Sequence, residues 1–265
     1  MGYTAKWIKH HVGIDGDALA PGYGRHPEEA KSLHLFLEKK LTSKEAATAI
    51  TTLILHERDP PDNVYRLMGF LCEALVDLND EREKLFNLLG AIQALPPARG
   101  IDWSQPRGFG NMWSDLYRLH IYGQDEWENG ITLQSEAAIE VLRKHYAETA
   151  TLEAEMYVRG LSGVTASWGY ETIKLINHWR VDVLISGIMV WLKVAGGRLQ
   201  QELHLEEVEN WGQLSTQRGN EQDQENASLP QYWERWAAHV RGISENSNTY
   251  SKDVRKLATE CYKLM

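Results

Sequence analysis

His178 and Asp182 stand four residues apart in the run Asn177-His178-Trp179-Arg180-Val181-Asp182. On a continuous helix this spacing puts an imidazole and a carboxylate on one face. There the carboxylate can orient the ring as a general base. The same residues also allow a plainer reading, in which Asp182 opens the apolar helix that follows and His178 is a half-buried polar residue. A second set is Trp113, Tyr117 and His120, at i, i+4 and i+7. Two aromatic rings and one proton-transfer group on a shared face, joined by Trp103 and Trp127 from flanking loops, describe an apolar pocket with few polar groups. They equally describe large aromatics plugging a helical core. The expectation is that His178, Asp182 and His120 are catalytic and that Trp103, Trp113, Tyr117 and Trp127 bind the substrate. An uncharged, apolar small molecule would be folded against that wall and polarised by one hydrogen-bond donor, with no metal and no cofactor.

Other chemistries find less support. None of the ten histidines forms an i, i+4 pair, His10 and His11 are adjacent, and neither Cys72 nor Cys261 lies in a C-x-x-C; a zinc site is not expected. Magnesium–diphosphate chemistry needs facing acidic clusters. The nearest are Asp77-Leu78-Asn79-Asp80-Glu81 and the spaced set Glu245, Thr249 and Asp253, which read as solvated helix starts. No G-x-S-x-G elbow occurs. The glycine pairs Gly22/Gly24 and Gly108/Gly110 follow no strand and open no phosphate loop.

The elements that must carry these groups are helices. Proline is missing between Pro106 and Pro230, which permits long helices there. A helix starts near Pro27, with Glu28 and Glu29 in its first turn, where the helix dipole favours acids. Thr42-Ser43-Lys44-Glu45 is a capping box, opening a helix with Ala46, Ala47, Ile50, Leu53 and Ile54 inward. Asp59-Pro60-Pro61 punctuates, and Val64, Leu67, Met68, Leu71, Cys72 and Leu75 form the next stripe. Leu85, Leu88, Leu89, Ile92 and Leu95 make another, stopped by Pro96-Pro97. Aromatic-rich chain spans 98–132. A long helix is expected over about 135–159 with Ala138, Val141, Leu142, Tyr146 and Leu152 inward. Another is expected over about 167–201, bending near Arg180, and a last helix has the stripe Val254, Leu257, Ala258, Cys261 and Leu264. Residues 1–27 read as an irregular segment and 206–230 as a mobile polar loop. No run alternates with period two, so no strand is expected.

With 265 residues the chain can bury a core without staples. Its 28 basic against 37 acidic side chains leave a net charge of −9, which argues against nucleic acid as a partner and against a polybasic membrane contact. Two cysteines exclude a disulfide framework. The most apolar run, Val183 to Leu192, is ten residues, about half a membrane span. No leader-like apolar segment opens the sequence, so a cytoplasmic protein is expected.

One family resemblance rests on Leu35 to Leu95 followed by Trp103-Ser104-Gln105-Pro106 and Trp113, on Trp191-Leu192-Lys193-Val194-Ala195-Gly196, and on Trp233-Glu234-Arg235-Trp236 with the last helix. In these the chain resembles a widespread ascomycete family catalogued as a domain of unknown function. The resemblance covers residue 30 to the end and rests on core and turn residues. The chain departs from the family pattern after Trp127, where Gly130 to Ala137 holds no aromatic residue. The resemblance implies an all-α, intracellular fungal protein, with some relatives near natural-product genes, and it transfers no catalytic residue. The expectation is therefore a single irregular all-α bundle of eight or nine helices over 28–265. Its expected function is that of a cofactor-independent cyclase or isomerase of specialised metabolism; the alternative is a non-catalytic helical protein that binds a partner or small ligand.

Overall fold

In the computed structural model, residues 3–12, 27–105, 108–122, 124–132, 134–204 and 227–265 are described. Among them every regular element is a helix, apart from one isolated bridge between Ala98 and Ile101. The described residues hold thirteen α-helices and two short 3-10 turns, more than the eight or nine that periodicity suggests. Breaks at Arg118 and His178, with no Gly or Pro to announce them, split two expected helices, and Gln124–Thr132 forms a helix where a loop is expected. The N-terminal expectation is also corrected: an α-helix, α1, occupies Tyr3–Val12, while residues 13–26 lie outside the described residues. So does most of the expected polar loop (205–226), and Leu229 and Pro230 already belong to a helix.

The chain divides into two compact units, one of residues 1–118 with 161–163, the other of residues 119–160 with 164–265. The first contains α1, α2 (Pro27–Leu37), α3 (Ser43–Leu55), α4 (Pro60–Asp77), α5 (Arg82–Gln93) and α6 (Phe109–Tyr117). The capping box forms as its residue types require: Glu45 N–H donates to Thr42 Oγ1 at 3.2 Å, and Thr42 N–H donates to Glu45 Oε2 at 2.8 Å. Ala46, Ala47, Ile50 and Ile54 of α3 are buried, as is the whole expected stripe of α4. α1 is held by Trp7, whose indole N–H donates to Asp77 Oδ2 at 2.8 Å. The segment 161–163 joins this unit through Ser162, whose N–H donates to Gln93 Oε1 at 3.0 Å.

The second unit contains α7 (Leu119–Tyr122), α8 (Gln124–Thr132), α9 (Glu136–Arg159), α10 (Ala166–Lys174), α11 (Val181–Glu202), α12 (Leu229–Glu245) and α13 (Lys252–Leu264). Its centre is the pair α9 and α11. Gly187 lets their backbones approach, since a Cβ there would lie 3.2 Å from the Tyr146 carbonyl oxygen. Polar groups fasten the same pair along its length: Ser186 Oγ donates to the Arg143 carbonyl at 3.1 Å, Trp191 Nε1 to Glu153 Oε2 at 3.1 Å, and Tyr157 Oη to Glu202 Oε2 at 2.6 Å. Of the residues expected inward, Tyr146 and Leu152 are buried and Val141 is exposed; Ile139, Thr149, Ala150 and Glu153 are buried as well. The stripe is rotated because α9 packs its polar as well as its apolar residues against α11. In α13, Val254, Ala258 and Cys261 are buried, whereas Leu264 is exposed.

Candidate functional site

The expected helical face of Trp113, Tyr117 and His120 does not form. α6 ends at Tyr117, Arg118 leaves helical geometry at φ −116° and ψ 27°, and His120 belongs to the next helix and to the second unit. Trp103, Trp113 and Tyr117 lie in the first unit. Trp113 is fully buried, stacked on Phe109 at 5.9 Å and tilted against Tyr117 at 4.9 Å. Trp103 is equally sealed in the interior. Tyr117 is half-buried, and burial is the main cause that pushes its phenol pKa up, with Asp77 adding to it.

His120, Trp127, His178 and Asp182 are all in the second unit. Three of them come together around α8: the Trp127 ring lies 6.4 Å from that of His120 and 5.2 Å from that of His178. Tyr146 of α9 completes the cluster. Its ring is 4.5 Å from His120, and its hydroxyl oxygen accepts the Trp127 indole N–H. Ile131, Ile139, Val183 and Leu184 pack around them.

His178 and Asp182 do not act as a pair. The chain breaks at His178, which is extended at φ −75° and ψ 143°, so the i, i+4 geometry is lost. Asp182 opens α11 and binds Arg180, with Nε to Oδ1 at 3.0 Å, and Arg143, with Nη2 to Oδ2 at 3.5 Å. The carboxylate that meets His178 is Glu128 of α8, Oε1 to Nε2 at 3.2 Å. His178 Nδ1 accepts the Arg180 backbone N–H at 3.0 Å. A neutral ring with its proton on Nε2 satisfies both bonds. Burial lowers the His178 pKa, and Glu128 offsets part of that shift. With its Nδ1 lone pair spent on the backbone, His178 is built to close the corner before α11 rather than to abstract a proton.

A polar concavity among the described residues of this unit shares His120 and Tyr146 with that cluster. It is lined by His120, Tyr146, Thr149, Glu153, Thr172 and, among apolar residues, Leu175, Leu184 and Gly187. It is a partly enclosed crevice with room for about one water molecule. His120, Tyr146 and Glu153 are each more than nine-tenths buried. Burial pushes the Tyr146 pKa up, so its hydroxyl keeps its proton. His120 thus lines a different space from the one its spacing predicts, and Glu153, Thr149 and Thr172 join it without being expected there. A signal was present: Tyr146, Thr149, Ala150 and Glu153 recur at i, i+3, i+4 and i+7, so a residue that reads as solvated lies on the stripe of an inward tyrosine.

Among the described residues no cluster of three or more His, Cys, Asp or Glu side chains is placed to hold a metal ion. No described helix is long and apolar enough to cross a membrane. Comparison with protein-family models, curated proteins and solved structures finds no match to the chain.

Proposed function

We propose that this is a small-ligand-binding helical protein whose site is the polar crevice between α9, α10 and α11. The observation that carries the reading is the convergence of His120, Tyr146 and Glu153, each more than nine-tenths buried, on one small space. Titratable groups gathered in a concavity are the usual mark of a binding site. The crevice is too small to fold a chain for cyclisation. The proposed ligand therefore presents a small polar head, in place of the apolar substrate expected from the aromatic residues.

Tyr146 and Glu153 also favour a second reading, cofactor-independent isomerisation. Tyr146, whose phenol keeps its proton, and Glu153 belong to the same lining, and a phenol with a carboxylate is a minimal acid–base pair. The resemblance to the ascomycete family with relatives near natural-product genes supports specialised metabolism as its setting.

Both readings are tested by screening a library of small polar fragments against the Trp127 and Trp191 indole N–H resonances, the two reporters bonded to crevice residues. The expected result is saturable shifts of these two signals. A library that moves neither, on folded protein, overturns both readings. A fragment whose C–H protons exchange with solvent at a rate lost in Glu153→Gln selects isomerisation over simple binding.

A further inference from the structure

Three oxygen-bearing side chains of the crevice, those of Thr149, Thr172 and Glu153, bear on the charge of what it holds. Thr149 Oγ1 donates to the carbonyls of His145 and Tyr146, at 3.0 and 3.3 Å. Thr172 Oγ1 donates to the Trp168 carbonyl at 2.9 Å. Both hydroxyl protons are thus spent on helix carbonyls, and what each threonine has left to offer a ligand is an oxygen lone pair. Glu153, an acceptor when ionised, takes the Trp191 indole proton on Oε2. The lining includes no Lys and no Arg. The rings of Tyr146 and His120, 4.5 Å apart, belong to the same lining, and the face of a phenol ring attracts cations.

From this the geometry points to a site for a small hydrogen-donating cation: ammonium, or the primary-ammonium head of an amine. It is held by the Glu153 carboxylate with the Thr149 and Thr172 oxygens. The inference rests on the crevice being the ligand site. Size agrees with chemistry, because the space admits about one water molecule and an ammonium group occupies about the same volume with N–H donors in every direction. A carboxylate or phosphate head would meet lone pairs and a negative charge. A quaternary ammonium would present methyl groups where oxygens wait for hydrogens.

The test titrates the full chain at constant ionic strength with ammonium chloride, potassium chloride, tetramethylammonium chloride and formamide, reading the Trp191 indole N–H resonance. Ammonium should shift it saturably, while potassium and tetramethylammonium leave it in place. Glu153→Gln should weaken the ammonium response at least about tenfold, as expected for loss of a charged hydrogen-bond partner. Its fold is checked by circular dichroism and by the remaining indole signals. Should that variant not fold, Thr172→Val carries the test, since it removes one oxygen at nearly constant volume; it should weaken ammonium severalfold. Equal shifts from potassium or tetramethylammonium overturn the inference, because hydrogen donation then plays no part. A shift from formamide without one from ammonium also overturns it but leaves the crevice a ligand site. Silence from all four probes removes both the inference and the reading beneath it.

Discussion

His178 shows how one side chain can be fully committed to structure. Nδ1 accepts a backbone N–H, Nε2 meets a carboxylate, and the ring packs edge-on against Trp127. Removing the ring leaves the Arg180 N–H without its acceptor, so His178→Ala should cost ~1–3 kcal/mol. His178→Asn should recover part of that, because an Asn side-chain oxygen readily accepts the N–H two residues on; urea denaturation compares the two. The same bonds set a pH dependence. The folded-state pKa of His178 lies below its ordinary 6.5, with burial as the main cause, and the same holds for His145 and His239. The unfolded chain therefore takes up protons before the folded one does. Stability from these neutral rings is complete above about pH 6.5 and is lost as pH falls through the depressed folded values. The urea midpoint should fall between pH 7.5 and pH 5, and with a shallower slope in His178→Asn. A midpoint unchanged across that window would show that the rings do not titrate differently on folding.

At the scale of elements, close approach decides which glycines are needed. A Cβ on Gly169 of α10 would lie 2.8 Å from Leu199 Cδ1 and 2.9 Å from the Trp191 ring. Both neighbours are fully buried. Gly169→Ala should therefore destabilise by ~1–3 kcal/mol through overpacking. Gly197, on the exposed side of α11, has nothing within 4 Å of its Cβ position. Gly197→Ala should stabilise by roughly 0.5–1 kcal/mol, since it removes only the backbone entropy that glycine costs a helix. Thermal melts of the two variants should move in opposite directions, and movement in the same direction would contradict the packing described between α10 and α11.

For the molecule as a whole, helix and burial make two simple expectations. Far-ultraviolet circular dichroism should show helix without a sheet component; strand content above about a tenth would contradict a chain whose described elements are all helical. Cys72 and Cys261 are free and fully buried, and burial raises both thiol pKa values, that of Cys261 to about 12. Neither should react with a thiolate-selective reagent in the native protein, because the thiolate is the reacting form. Both should react in denaturant, and a reducing agent should leave the melting temperature unchanged. Rapid native labelling of either would place it at the surface.

Local sequence was sufficient for what depends on neighbours along the chain. The Thr42–Glu45 capping box, the α4 stripe from Val64 to Leu75, the stop after α5 and the all-helical class follow from spacing, capping chemistry and the absence of period-two runs. These are short-range effects, settled within one or two turns. The candidate site depended on tertiary structure. The breaks at Arg118 and at His178 carry no Gly or Pro, so an i, i+4 reading ran across them. Glu128, 50 residues before His178, became its partner through the docking of α8, leaving Asp182 to two arginines. Glu153 looks solvated in the sequence, yet it is buried because Trp191 on α11 supplies a hydrogen-bond donor inside the packed pair. Which polar groups meet, and which lose water, is decided by long-range packing of α9 against α11. That packing is a property of two helices together, not of either segment alone.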